Sequence, residues 1–177
     1  LQELTGEERY LDEAILIMNQ VMEEYEVESG LFCYYSAEGQ GDVFVRKIDS
    51  YDGALPAGNS VLADCLVQLG EILSKNEWTV KGKKMYEKMA PLAGKYPTGF
   101  GIWSIGVLKQ QMGIKQVVVA GSTDRPVWRT MLQSYFPHKI LLKANERSTL
   151  PLLTGKMSQD ALSVYVCEDG ACRKPMK

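Results

Sequence analysis

Residues 47–61 read KIDSYDGALPAGNSV, and the interpretation of the whole chain starts from this stretch. It places two carboxylates, Asp49 and Asp52, and the phenol of Tyr51 before a segment rich in glycine and proline. The amide of Asn59 and the hydroxyl of Ser60 then stand at the start of a long apolar run. This order predicts an irregular loop that leads directly into the N-terminus of a buried helix.

Helical patterns flank this loop on both sides. Apolar residues recur at helical spacing up to residue 25, after a Thr-Gly-Glu-Glu pattern that is typical of a helix start. Further helices are predicted at about residues 59–73, 77–89 and 98–112. Pro91 is expected to end the third of these four helices and Gly113 the fourth, in which Leu108 is expected to face inward. Short polar turns join the helices, which is the arrangement of helical hairpins.

Two regions carry strand patterns instead. Short apolar runs on either side of Glu-Gly-Gln-Gly-Asp predict a β-hairpin at about 31–47. After residue 113, strands are predicted at 116–120, 139–143 and 162–166, with a helix at 123–136. Strand, helix and strand at this spacing predict a right-handed βαβ crossover. We therefore expect a helical segment at 1–113 and a small α/β unit at 114–177.

The composition excludes several classes of protein. The chain has 177 residues, is 45% hydrophobic and carries a net charge of −2, which suits a folded domain and argues against a basic nucleic-acid-binding surface. No apolar run approaches the roughly 20 residues of a membrane-spanning helix. Four cysteines are too few for a secreted disulfide scaffold, so we expect a reducing, cytoplasmic location. Residues 1–4 resemble the end of a preceding helix, which predicts a fragment of a longer protein.

Several motifs occur together and in order. D-x-Y-D-G-A-x-P-(A/S)-G-N-S spans 49–60, Y-P-T spans 96–98, and V-V-V-(A/V)-G spans 117–121. The closing A-Y-V-C-x₄-C motif appears here as SVYVC at 163–167 followed by Cys172. With them the chain resembles the C-terminal part of a family that joins an N-terminal thioredoxin-like domain to an α/α toroid. This family includes the spermatogenesis-associated thioredoxin-like proteins of animals, and its toroid is similar to N-acylglucosamine 2-epimerases and six-hairpin glycosidases.

The resemblance implies a mainly α fold in which the hairpins form part of an α/α toroid, with a β-hairpin insert and a small C-terminal α/β unit. It also implies two functions. One is a carbohydrate-binding or carbohydrate-processing segment, with a saccharide as ligand. The other is a non-catalytic interaction module that serves the N-terminal thioredoxin-like domain of the parent chain. Neither implies a cofactor, a nucleic acid or a membrane as partner.

Each candidate residue of the loop has two interpretations. Asp49 and Asp52 can act as a general acid/base pair on a glycosidic bond. Turn aspartates also commonly accept backbone N–H groups at turns and helix starts, which is the more frequent case. Tyr51, Asn59 and Ser60 can bind sugar hydroxyls, or they can pack and cap the following helix.

The remaining candidates lie outside the loop. His138 is the only histidine, so it cannot form the histidine pair expected of a toroid epimerase. Cys167 and Cys172 form a C-x₄-C pair that is either redox-active or a locally packed pair of thiols. No second pair of metal ligands lies near them, so no metal site is predicted. Gly121 follows a strand and precedes a helix, which indicates a plain helix cap more than a phosphate site.

Overall fold

The computed structural model describes residues 1–121, 125–144, 148–156, 162–168 and 170–176. Within these ranges helices outweigh strands. The α-helices are α1 (Gln2–Thr5), α2 (Arg9–Tyr25), α3 (Gly58–Leu73), α4 (Asn76–Lys95), α5 (Gly101–Met112) and α6 (Arg125–Gln133). The strands are β1 (Lys115–Ala120), β2 (Lys139–Lys143), β3 (Ser163–Glu168) and β4 (Ala171–Cys172). Short 3-10 turns occur at Pro97–Gly99 and Pro151–Leu153.

The chain divides into two compact units. The helical unit comprises Glu13–Glu71 and Lys75–Gln111. The sheet unit comprises Leu1–Asp12, Ile72–Ser74 and Met112–Lys177. The N-terminal residues therefore pack with the C-terminal sheet, through contacts between α1 and β2.

A tight helical hairpin forms the centre of the helical unit. A Cβ added at Gly70 of α3 would meet Thr79 of α4, and one added at Gly82 of α4 would lie 2.6 Å from Val67 of α3. These contacts run in opposite order along the two helices, so α3 and α4 are antiparallel. The absence of side chains at Gly70 and Gly82 lets the two backbones approach closely. This arrangement confirms the helical hairpin that the sequence predicted.

The third helix of this unit lies along the same hairpin. The carboxylate of Asp64 in α3 accepts hydrogen bonds from the Tyr86 hydroxyl of α4 and the Lys109 ammonium of α5, at 3.2 and 2.8 Å. Gly106 of α5 faces the Tyr86 ring, because a Cβ there would lie 2.0 Å from its edge. Fully buried Trp103 completes the contact, with its ring 6.2 Å from that of Tyr86.

The sheet unit contains a four-stranded sheet in the order β2-β1-β3-β4. β1 and β2 are parallel and β3 is antiparallel to β1. Val118, Val119 and Leu141 are fully buried, so the sheet forms the core of this unit. The strand–helix–strand prediction is confirmed by the parallel pair, and the third strand is confirmed within two residues. The predicted helix at 123–136 is present at Arg125–Gln133 and ends three residues earlier than predicted, while residues 123 and 124 lie outside the described residues.

The predicted β-hairpin at 31–47 is wrong. The structure assigns no strand to these residues and shows only an isolated bridge between Glu26 and Cys33. One physical reason is that the Asn59 side chain takes both main-chain polar groups of Cys33, which a ladder partner would otherwise need. Phe44 and Val45 are also almost fully exposed, so this segment lacks the buried face that stabilises a hairpin.

Pro91 does not end the third helix, contrary to the prediction. α4 continues to Lys95 and contains Pro91 on an exposed surface. The extra turn buries Ala93, and the Tyr96 N–H closes it on the carbonyl of Leu92 at 2.8 Å. Packing of that turn offsets the hydrogen bond that a proline cannot donate. The fourth helix begins later than predicted, at residue 101, after a 3-10 turn. Leu108 on this helix is exposed where the periodicity predicted an inward side chain.

Candidate functional site

The carboxylate of Asp52 lies at the centre of the predicted site and is buried. Its Oδ1 accepts hydrogen bonds from the Ala57 N–H at 2.9 Å and the Ser60 hydroxyl at 2.6 Å. Its Oδ2 accepts from the N–H groups of Ile102 at 2.9 Å and Trp103 at 3.3 Å. One negative charge therefore caps the first turns of both α3 and α5, where helix dipoles favour an anion.

This shared cap fixes the direction of two helices. The N-termini of α3 and α5 both lie at the Asp52 carboxylate, and the two helices are joined again further toward their C-terminal ends by the Asp64–Lys109 ion pair. They therefore run side by side in the same direction. α4, which is antiparallel to α3, connects the C-terminal end of α3 to the N-terminal end of α5.

Asn59 makes a second set of buried contacts. Its Oδ1 accepts from the Cys33 N–H at 2.8 Å, and its Nδ2 donates to the carbonyls of Cys33 and Asp49, both at 2.9 Å. A side-chain amide has one oxygen and two N–H groups, so every polar group of Asn59 has a partner. The amide substitutes for a neighbouring strand beside Cys33 and ties the loop to the segment before it.

The Trp103 indole holds the loop from the other side. Its Nε1 donates to the carbonyl of Ser50 at 2.8 Å, and the Asp52 N–H donates to the carbonyl of Gly99 at 2.9 Å. The loop is therefore attached to the 3-10 turn and to α5 by main-chain groups as well as by the carboxylate. We call Asp52, Asn59, Ser60 and Trp103 the loop clamp.

Asp49 and Tyr51 form the accessible part of the site. The Asp49 Oδ1 accepts from the Tyr51 N–H at 3.4 Å, which is a local turn contact. Tyr51 is 61% exposed, and its ring lies edge-on to Phe100, with the ring centroids 5.8 Å apart. A Cβ at Gly99 would lie 2.6 Å from that ring, so glycine permits the contact. The structure thus brings the five predicted loop residues together and orients Asp52, Asn59 and Ser60 inward.

Asp64 is a half-buried carboxylate that links α3, α4 and α5 and that the sequence did not single out. It sits in the middle of α3, a helix with apolar residues around most of its circumference, and a carboxylate at such a position is the signal that was available. Burial and the adjacent Asp64 carboxylate both raise the pKa of Tyr86, which therefore stays a neutral donor.

Cys167 and Cys172 are joined by a disulfide bond. They face each other across the β3–β4 pair, so strand pairing brings them together. Next to them, the carboxylate of Glu168 forms an ion pair with Lys115, which lowers the pKa of Glu168. Of the two free thiols, Cys33 is buried and Cys65 is exposed.

The other candidates do not join the loop clamp. His138 is buried in the sheet unit just before β2, and its Nδ1 has no hydrogen-bond partner among the described residues. Gly121 has a positive φ of 97°, while Ser122 and Thr123 lie outside the described residues. In the ranges that the structure covers, no three His, Cys, Asp or Glu side chains are grouped as metal ligands. Across those same ranges, no helix combines the length and apolar character needed to cross a bilayer.

These observations define a protein of helical hairpins with a small mixed sheet. No family model matches the chain. It is similar to spermatogenesis-associated protein 20 of human and of rat, with 28% identity over 158 residues in each case, covering 83% of this chain and 20% of the relative. It is also 23% identical over 181 residues to the uncharacterised protein B0495.5 of Caenorhabditis elegans, covering 97% of this chain and 24% of that protein.

The similarity supports homology to spermatogenesis-associated protein 20, as the motifs predicted. The chain spans about a fifth to a quarter of the length of the curated relatives it matches. The α/α-toroid architecture and the thioredoxin-like partner domain stay interpretations of the resemblance.

Proposed function

We propose that this chain is a non-catalytic interaction module of a larger protein, in which the 49–60 loop is a structural joint. The observation that carries the proposal is that the protein itself already uses both carboxylate oxygens of Asp52. Both of its carboxylate oxygens accept hydrogen bonds from helix N-termini or from Ser60. A general acid or base must reach a proton on its substrate, and a carboxylate used in this way has no free oxygen directed at one.

An exposed apolar surface supports the interaction role. Val61 of α3 is 44% exposed, and Ile105 and Leu108 of α5 are 46% and 55% exposed. Val61 precedes Asp64 by one turn and Ile105 precedes Lys109 by one turn, so these residues flank the ion pair that joins the two helices. We call Val61, Ile105 and Leu108 the α3–α5 face. We propose that other parts of the parent protein, including its thioredoxin-like domain, cover this face, since apolar surface next to a polar rim is typical of interfaces.

The test compares the 177-residue chain with the full-length protein that contains it. Replacing Val61 and Leu108 together by lysine should lower the melting temperature of the full-length protein and leave that of the 177-residue chain unchanged. Lys84→Glu, on the exposed surface of α4, is the control and should change neither. If the full-length protein has the same melting temperature with and without the two lysine substitutions, the proposal is contradicted.

Saccharide binding is the second candidate, and one observation favours it. The exposed Tyr51 ring lies edge-on to Phe100, and the Asp49 carboxylate accepts the Tyr51 main-chain N–H. A fixed aromatic surface with a neighbouring carboxylate can hold a sugar ring and one of its hydroxyls.

A thermal-shift screen of the full-length protein against mono- and oligosaccharides separates the two functions. The interaction module predicts no shift with any sugar. A ligand present at about 100 times its Kd would stabilise the protein by roughly 2.7 kcal/mol. A shift that disappears in Tyr51→Ala but persists in Tyr35→Ala, another exposed tyrosine, would replace the first function with the second.

A further inference from the structure

The Cys167–Cys172 disulfide has an asymmetric environment. Cys167 is fully buried in β3, whereas Cys172 is exposed in the two-residue edge strand β4. An external thiolate can therefore reach only one of the two sulfur atoms without opening the sheet. Disulfide exchange requires that the attacking sulfur approach the target along an accessible path.

The charges around the exposed sulfur also favour attack. Arg173 and Lys174 follow Cys172 directly, and both are exposed. The nearest acid along β3, Glu168, is paired with Lys115, which offsets its negative charge. The attacking species in exchange is a thiolate, so the cationic side chains beside Cys172 attract it.

The hairpin does not depend on the disulfide alone. Val164 and Met176 exchange two main-chain hydrogen bonds, at 2.9 and 3.0 Å, and the Arg173 N–H donates to the carbonyl of Val166 at 3.0 Å. The covalent loop is short, with a sequence separation of five, so closing it removes little entropy from the unfolded chain. The strand has other contacts that hold it in place when the bond opens.

From this geometry we propose that Cys167 and Cys172 form a thiol–disulfide exchange site whose substrate is a protein dithiol of the Cys-x-x-Cys type. A thiolate of the dithiol attacks Cys172 Sγ and forms a mixed disulfide, while Cys167 leaves as a thiolate and takes up a proton. The second thiol of the partner then attacks the sulfur of the partner's first cysteine in the mixed disulfide. This step forms the partner's internal disulfide and releases Cys172 as a thiolate, which takes up a proton. The partner is oxidised by two electrons, and Cys167 and Cys172 become thiols. In a reducing compartment, such a disulfide is usually transient and functional.

The test traps the first step on the full-length protein. The probe is a Cys-x-x-Cys oxidoreductase whose second cysteine is replaced by serine, so that it cannot resolve the mixed disulfide. A Cys65→Ser background removes the exposed free thiol that could otherwise attack the mixed disulfide and release the probe. Peptide mapping should find the probe on Cys172 of the native protein. An adduct on Cys167, or an adduct that forms only after denaturation, would overturn the proposal.

Two further measurements distinguish exchange from a structural staple. Arg173→Glu combined with Lys174→Glu should slow adduct formation at least about threefold at low salt, because it replaces attraction by repulsion. Lys88→Glu, an exposed residue of α4, is the matched control and should leave the rate unchanged. In the reduced protein, hydrogen exchange at Val164 and Met176 should stay slow. If the adduct forms equally fast in the native protein and in the Arg173→Glu/Lys174→Glu variant, the disulfide has only a structural role. The same conclusion follows if the amides of Val164 and Met176 exchange hydrogen rapidly after reduction.

Discussion

At the scale of single residues, the loop clamp shows how one carboxylate can organise two helices. Asp52 satisfies N–H groups at the starts of α3 and α5, and those groups have no partner within their own helices. Hydrogen bonds to a buried charged group stabilise more than neutral ones do. The stabilising role of Asp52 is therefore open to direct measurement.

We expect Asp52→Ala to destabilise the folded protein by about 2–4 kcal/mol, because it leaves several buried N–H groups without an acceptor. Asp52→Asn should have a smaller effect, since its amide oxygen retains one of the contacts. Urea denaturation followed by circular dichroism measures both.

The matched control for this prediction is Asp49→Ala. The Asp49 carboxylate makes a local 3.4 Å contact, and its main-chain bond to Asn59 is kept in the alanine variant, so the substitution should cost less than about 1 kcal/mol. Similar destabilisation by the two alanine variants would show that the carboxylate contacts of Asp52 contribute little.

At the scale of elements, the α3–α4 hairpin depends on where glycines are placed. Gly82 and Gly94 lie in the same helix, yet only Gly82 faces another backbone. A Cβ at Gly82 would lie 2.8 Å from the carbonyl oxygen of Ala63, whereas one at Gly94 would meet nothing within 4 Å. The same substitution should therefore have opposite signs at the two positions.

We expect Gly82→Ala to destabilise the protein by about 1–3 kcal/mol through overpacking against α3. Gly94→Ala should stabilise it by about 0.5 kcal/mol, because alanine restricts the unfolded chain and favours the helix. Thermal denaturation of the two variants side by side measures the difference. Equal melting temperatures would mean that α3 and α4 can move apart to accommodate the added methyl group at Gly82 without a loss of folding free energy.

At the scale of the whole molecule, the two ends of the chain meet in one unit. The Glu3 carboxylate of α1 accepts the Leu141 N–H at 2.8 Å, and β2 is an edge strand of the sheet. The short N-terminal helix therefore covers an edge that would otherwise expose unpaired backbone groups. This contact joins residues that are separated by 138 positions.

We expect Glu3→Ala to raise the hydrogen-exchange rate of the Leu141 amide roughly fivefold, which corresponds to the loss of about 1 kcal/mol. Glu13→Ala, at an exposed position of α2, should leave that rate unchanged. The Ile102 amide, bonded to Asp52 in the helical unit, should be unaffected by either variant. An unchanged rate at Leu141 in Glu3→Ala would show that the edge is protected by other groups.

Local patterns determined most of the secondary structure. The apolar periodicity placed α2, α3 and α5 within a few residues of their ends, and the β-branched run placed β1. Gly113, with a positive φ of 73°, follows the end of α5 as predicted. These features depend on residues that are near one another in the chain, so the sequence contains the information directly.

Tertiary structure alone decided how those pieces are used. The sequence by itself determined that 49–60 is a loop before a helix, and that Asp52 is a candidate acid. Only the fold showed that Asp52 reaches Trp103, that Asn59 replaces a strand beside Cys33, and that α4 continues through Pro91. Each of these outcomes depends on contacts between distant segments, and their free energy exceeds the local preference that the sequence pattern reports.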